Sequence, residues 1–317
     1  MPDDLRPRDI AALPAQHAAE PRTPAEARGR FFNTGNAFNV VLPPVPDHAF
    51  TEEPRRALDE ATPTGLIPCD LSSVLGCDFQ ATTPLVLAHY ARIRAGEMLT
   101  TDFAASGTIA YVIQGGGVTR CGAEEIAWAV GDVFVLPGGQ PASHSAQTTA
   151  VLWLVTNEPQ LAFENLRPPA PGRSPTDLVH YRAGEIDRQI DLIYEIGRDS
   201  SIAGSALIFS AERQEATRNI LPTLTAAMNS LPGGYVQPPH RHNSVAVSLI
   251  IRGESCFSLI DGRRKDWSPW ATTITPPVSV HSHHNEGTAQ ARFLIIQDGG
   301  IYYHARAMGF EFAEHPR

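Results

Sequence analysis

Two short histidine clusters carry the chemistry-bearing residues of this chain: Pro238-Pro239-His240-Arg241-His242 and His281-Ser282-His283-His284-Asn285. Alternate residues of a β-strand face one side, so each H-x-H pair projects two imidazoles together. A single strand histidine reads as an ordinary, satisfied polar residue. Two H-x-H pairs close in sequence read as a transition-metal site, because neutral imidazole is the commonest protein ligand for iron, zinc, copper and nickel. A barrel that set the two strands side by side would converge three or four imidazoles. Other motifs are weaker. Gly115-Gly116-Gly117 reads as a turn, with no helix pattern after it to make a phosphate loop. There is no G-x-S-x-G elbow, and Cys256 reads as a buried core thiol.

The elements needed to position the histidines are legible around them. From about residue 80, short runs rich in Val, Ile and aromatics stop at Gly or Pro turns: LVLAHYARIRAGE, GTIAYVIQGGGVTR, EEIAWAVGDVFVLPGG and AVLWLVTNE. The same texture returns from about 205 to 300. Between them, 158–205 reads as a linker, with Ile186, Ile190, Ile193 and Ile196 on one helical face and Gly197 as its stop. The two β blocks repeat one another: 22 residues separate Gly115 from Pro137, and 23 separate Gly253 from Pro276. A duplicated small barrel is expected, with 1–79 as an arm and extended segment, 80–157 as the first barrel, 158–205 as the linker and 206–317 as the second barrel.

Composition narrows the function classes. The 317 residues carry 25 Lys+Arg against 34 Asp+Glu, a formal charge of −9, and the pI is about 5.7. A nucleic-acid or anionic-membrane surface would need basic patches, so no nucleic-acid partner and no membrane partner is expected. Four scattered cysteines make no disulfide scaffold and suit a reducing, cytoplasmic setting. The 27 Pro and 25 Gly fit an all-β chain of short strands and tight turns.

The stretch from Gly233-Gly234 through His240-Arg241-His242 to Gly253 resembles the first cupin motif, and Pro276 through His281 resembles the second. With two β blocks, the chain resembles a bicupin: two tandem jelly-roll barrels, all-β, with a short helical linker and an N-terminal arm. The P-x-H-R-H spelling is similar to the gentisate and salicylate 1,2-dioxygenase group. That resemblance implies His240, His242 and His281 as ligands of Fe(II) (Mn, Ni or Zn as alternatives) and His283 as the acid/base beside the substrate. It implies a dioxygenase that takes a small oxygen-rich aromatic or enolisable substrate and O2, and a homo-oligomer, dimer or tetramer. A non-redox metal isomerase, lyase or hydrolase, or a metal-dependent binding protein, is the alternative. Many metal cupins add a glutamate after H-x-H; Ala246, Val247 and Ser248 stand there, leaving three neutral imidazoles and open metal positions.

The pattern also departs from that group. The complete triad lies in the second barrel rather than the first. In the first barrel, Asp102, Ala104 and Ala142 are expected at the ligand places, with His144 at the place of His283, so that barrel reads as metal-free and structural. The group's carboxylate-binding arginine is replaced by Ser248, which is expected to face the metal cavity and touch substrate. A neutral hydroxyl offers no charged fork, so a neutral substrate is expected unless Arg92, Arg94 or Arg120 reaches in.

Overall fold

The computed structural model describes residues 9–196 and 205–313. The chain divides into two compact units, Met1–Pro43 and Pro44–Arg317. The first contains a short helix, Pro24–Arg28, whose N-terminus is capped by Thr23 Oγ1 accepting from the Glu26 N–H (3.2 Å). Gln16 and Phe31 exchange backbone hydrogen bonds within the same unit.

The second unit is two antiparallel barrels. In the first, one eight-stranded sheet runs Gly65–Pro68, Leu87–Ile93, Ala142–Thr156, Gly107–Cys121, Val133–Pro137, Val179–Tyr181, with Met98–Thr101 and Glu124–Ala129 paired onto its long strands. Gly107–Cys121 and Ala142–Thr156 each run 15 residues and serve both layers of the barrel. The bend that lets them do so falls at the glycine run: the register with Ala142–Thr156 shifts at Gln114, Gly116 and Gly117. These glycines therefore form bulges inside a strand and not the turn expected from the sequence. Gly115 has φ +79°, and a Cβ there would lie 2.6 Å from Thr149 O, so the close approach of the strands at the bend requires glycine.

The second barrel has two separate sheets. One orders Ala49–Phe50, Thr272–Thr275, Ala246–Arg252, Ala291–Gln297, Thr225–Leu231, Ser205–Phe209; the other orders Arg263–Asp266, Cys256–Ile260, His281–Asn285, His240–His242, Phe310–Phe312. Strands from outside the expected barrel boundaries take part, since Gly65–Pro68 edges the first barrel and Ala49–Phe50 edges the second.

Alternation along the strands builds the core. In the Leu87–Ile93 strand, Ala91 and Ile93 point into the first barrel, while Ala88 and Tyr90 point away from it. That outward face, with Ile109, Tyr111 and Trp153, packs against Leu221, Leu224, Val247 and Ile274 of the second barrel in one continuous apolar cluster. Both faces of these strands are thus buried, which explains their uninterrupted apolar sequence. Thr272 Oγ1 ties the barrels further, accepting from the Trp153 indole N–H (2.9 Å) and bonding Tyr90 Oη (2.7 Å). The linker helix, Ala183–Ile196, buries Ile186 and Ile190, leaves Ile193 half-buried and exposes Ile196 at 81%. The apolar face holds for the first turns and is lost at the end of the helix; Gly197 lies outside the described residues.

Candidate metal centre

Strand pairing places the two histidine clusters against each other. His240 is the direct cross-strand partner of His281, with ring centroids 4.3 Å apart. In His240–His242 the outer residue, Arg241, pairs with Glu311, while both histidines turn inward and are buried. One nitrogen from each of His240, His242 and His281 can be chosen so that all three lie within 4.8 Å of one another.

The three rings share one supporting device. Each Nδ1–H donates to a backbone carbonyl two residues away: His240 to Pro238 O (2.8 Å), His242 to Ser244 O (2.8 Å) and His281 to Ser279 O (2.9 Å). A carbonyl can only accept, so the proton is on Nδ1 and the lone pair on Nε2, the tautomer that a metal ligand needs. Burial lowers the pKa of all three, with neighbouring imidazoles adding to it for His242, which falls to about 4, and for His281, which falls to about 2. At neutral pH the rings are uncharged donors. This donor set fits a borderline divalent metal such as Fe(II), Mn(II), Ni(II) or Zn(II).

His283 lies beside them in the wall of the same cavity. Its Nδ1 bonds Ser258 Oγ (2.8 Å), which accepts from the Trp267 indole N–H (2.9 Å). Burial also keeps this ring neutral, with its pKa pushed down to about 3. The first barrel repeats the arrangement at the same sequence intervals of 25 and 9: His144 Nδ1 bonds Thr119 Oγ1 (2.8 Å), which accepts from Trp128 Nε1 (2.8 Å). The difference is at Nε2. His144 Nε2 is already engaged by Thr101 Oγ1 (3.0 Å), and among the described residues no such hydroxyl caps His283.

That pairing also corrects the alignment expected for the first barrel. Thr101 pairs with Ala142 as His240 pairs with His281. Thr101 and Phe103 therefore stand at the places of His240 and His242, rather than Asp102 and Ala104. A one-residue slip exchanges inward and outward faces, and loop composition gave no signal to detect it.

The cavity holding the histidines encloses about 300 Å³. Ser248 is in its wall, 5% exposed. No Arg, Lys, Asp or Glu lines it among the described residues. Arg92 and Arg94 are occupied elsewhere, by the carbonyls of Ala57, Ala61 and Thr62, and Arg120 pairs with Glu125. The replacement guanidinium considered from the sequence is therefore not in this cavity. Among the polar residues there that the sequence did not single out are Asn229, Gln237 and Gln297. Gln297 Nε2 lies 3.0 Å from His242 Nε2, and Gln237 Oε1 is buried without a partner among the described residues. The signal for Gln297 was an amide at an inward place of the strand ARFLIIQ. Tyr303, Met308 and Phe310 add to the wall.

Residues 227–297 match the family model for the cupin domain. Segments of the chain are 32% identical over 90 residues to a 1-hydroxy-2-naphthoate 1,2-dioxygenase of Nocardioides sp. (strain KP7), covering 28% of this chain and 23% of that protein. Over 77 residues they are 31% identical to a gentisate 1,2-dioxygenase of Ralstonia sp., covering 24% and 21%. The matches thus span under a quarter of the length of these curated relatives. The fold is similar over far more of the chain to salicylate 1,2-dioxygenase from Pseudaminobacter salicylatoxidans, with a TM-score of 0.73 at 14% identity, covering 87% of this chain and 91% of that one. The chain has the bicupin fold, and with its cupin match and triad of imidazoles it resembles the gentisate and salicylate 1,2-dioxygenase group.

Proposed function

We propose that this chain is an Fe(II)-dependent dioxygenase that cleaves a C–C bond of a small, oxygen-rich aromatic or enolisable compound. The observation that carries the reading is the tautomer-locked, neutral triad of His240, His242 and His281 in a cavity sized for one ring. Those three residues would hold the metal; Fe(II) there would supply adjacent open positions for a chelating substrate and dioxygen.

The chain's own residues bind, orient and move protons. Ile208, Ile295, Met308 and Phe310 give the cavity apolar walls that exclude water from the ring. Asn229, Gln237 and Ser248 offer neutral hydrogen bonds to substrate oxygens. With no guanidinium in the wall, a carboxylate on the substrate finds no charged fork, and the cavity favours a neutral diphenol or diketone over a hydroxybenzoate. His283 is the proton carrier. The Ser258 hydroxyl, held by Trp267, can donate to Nδ1 or accept from it, so Nε2 can present either a proton or a lone pair to the substrate hydroxyl.

Anaerobically purified protein is expected to hold close to one equivalent of iron, falling to near zero in His240→Ala. Oxygen uptake is expected with a member of a panel of diphenols, β-diketones and hydroxybenzoates. Turnover that persists without oxygen would identify a non-redox metalloenzyme instead. No uptake across the panel with iron bound would overturn the dioxygenase reading.

A further inference from the structure

The first barrel keeps a cavity of its own. It holds about 370 Å³ and shares wall positions with the histidine cavity of the second barrel. Leu87 pairs with Thr156 at one end of the first barrel as Thr225 pairs with Gln297 in the second. By that register His89 stands at the place of Ala227, and each of the two lines its own barrel's cavity. Phe103, at the place of the ligand His242, forms part of its wall with Leu66 and Phe79.

His89 is anomalous. Six histidines are buried among the described residues. Five of them, His144, His240, His242, His281 and His283, satisfy Nδ1 with a hydroxyl or a carbonyl. His89 is 4% exposed, its Nδ1 is sealed off, and neither ring nitrogen has a hydrogen-bond partner among the described residues. Buried polar groups are nearly always paired, and an unpaired one needs a cause. Burial pushes its pKa down to about 4, so the ring is neutral. A sealed lone pair is better tolerated than a sealed N–H, which puts the proton on Nε2 as a donor.

Glu158 supplies the complementary group in the same wall. Its two oxygens accept from the Ala104 N–H (3.2 Å) and the Thr156 hydroxyl (3.1 Å), and each keeps a further lone pair. Among the described residues no Lys or Arg lines this cavity. An anionic ligand would meet a carboxylate with no counter-charge, whereas a hydroxyl can accept from His89 and donate to Glu158.

We propose that the first barrel holds a second small-molecule site, lined by Leu66, Phe79, Phe103, His89 and Glu158, that takes a neutral phenol. This site does not depend on the metal reading of the other barrel. The test is titration of the full chain carrying Ser248→Trp, which fills the other cavity, with 4-fluorophenol and 4-fluorobenzoate at pH 7, followed by 19F NMR. One equivalent of the phenol is expected to bind, with the benzoate at least tenfold weaker. Adding His89→Leu is expected to weaken the phenol at least tenfold, and Leu66→Trp, at the cavity mouth, to block it should the first variant not fold. Glu158→Gln is expected to narrow the discrimination between the two probes. Absence of saturable phenol binding, equal binding of benzoate, or binding unchanged by His89→Leu and Leu66→Trp would overturn the proposal.

Discussion

Ser248 is the residue through which the proposed function is most directly tested. It occupies an inward place on Ala246–Arg252, in a cavity wall without acid or base other than imidazole and the Tyr303 phenol. Ser248→Arg would put a guanidinium where only a neutral hydroxyl now stands. A charged hydrogen-bonded contact is typically worth about 1.5–3 kcal/mol, so kcat/KM for 2-hydroxybenzoate is expected to rise roughly ten- to a hundredfold relative to a neutral diphenol. Competition assays between the two substrates measure it directly; an unchanged ratio would place the substrate carboxylate away from residue 248. At this scale the sequence was informative wherever residue type alone implies chemistry. His240, His242, His281 and His283 declare themselves by type and by a spacing of two. Gln237 and Gln297 do not, because an amide becomes notable only when its surroundings leave it facing a cavity. His89 was equally silent, since its meaning lies in the partner it lacks.

Among the elements, the hairpin from Ala246–Arg252 into Cys256–Ile260 links backbone geometry to His283, the proposed proton carrier. A Cβ on Gly253 would lie 2.6 Å from Trp267 Cε3, and Trp267 holds the serine that orients His283. Gly253→Ala is expected to displace the indole and cost about 1–3 kcal/mol, read as a lower urea midpoint. A pH profile of activity displaced from wild type is expected with it; a stability loss with an unmoved profile would show that Trp267 does not tune His283. The strands themselves were legible because β-branched and aromatic runs ended at Gly and Pro. Their joins were less so. Bulges and turns both call on glycine at positive φ, so Gly115-Gly116-Gly117 suggested a turn where the chain makes a bend within one strand. The alignment of Thr101 and Phe103 with His240 and His242 depended on register, which a loop of variable length conceals. Ile196 followed the helical period yet ended exposed, since periodicity does not say where a neighbour stops.

For the whole molecule, burial of neutral imidazoles predicts acid sensitivity. His89, His144 and His242 are each pushed down to about 4, His283 to about 3 and His281 to about 2, chiefly by burial. An unfolded chain binds these protons near pH 6.5, so stability is intact above that value and is lost as pH falls towards about 4. Each ring brought to about 4 is worth about 3 kcal/mol when fully expressed, against the roughly 5–15 kcal/mol of a typical domain. Asp298, which accepts from the Val245 N–H and is raised to about 7 by burial, acts the other way: its contribution is present below about 4 and fades as pH rises through 7. Metal-free protein is expected to show a clearly lower urea midpoint at pH 5 than at pH 7; equal midpoints would contradict neutral burial of these rings. The duplicated architecture was readable from repeated glycine and proline spacing, but the contact between the copies was not, because an apolar run does not name the surface it will meet. That contact has an evolutionary corollary. Tyr90, Ile109 and Trp153 in one copy are the cover for Leu221, Val247 and Ile274 in the other, so neither copy could be discarded after duplication without stranding a greasy face in water. The copy without the imidazole triad persists as an obligatory companion, free to diverge in its interior and constrained on its back.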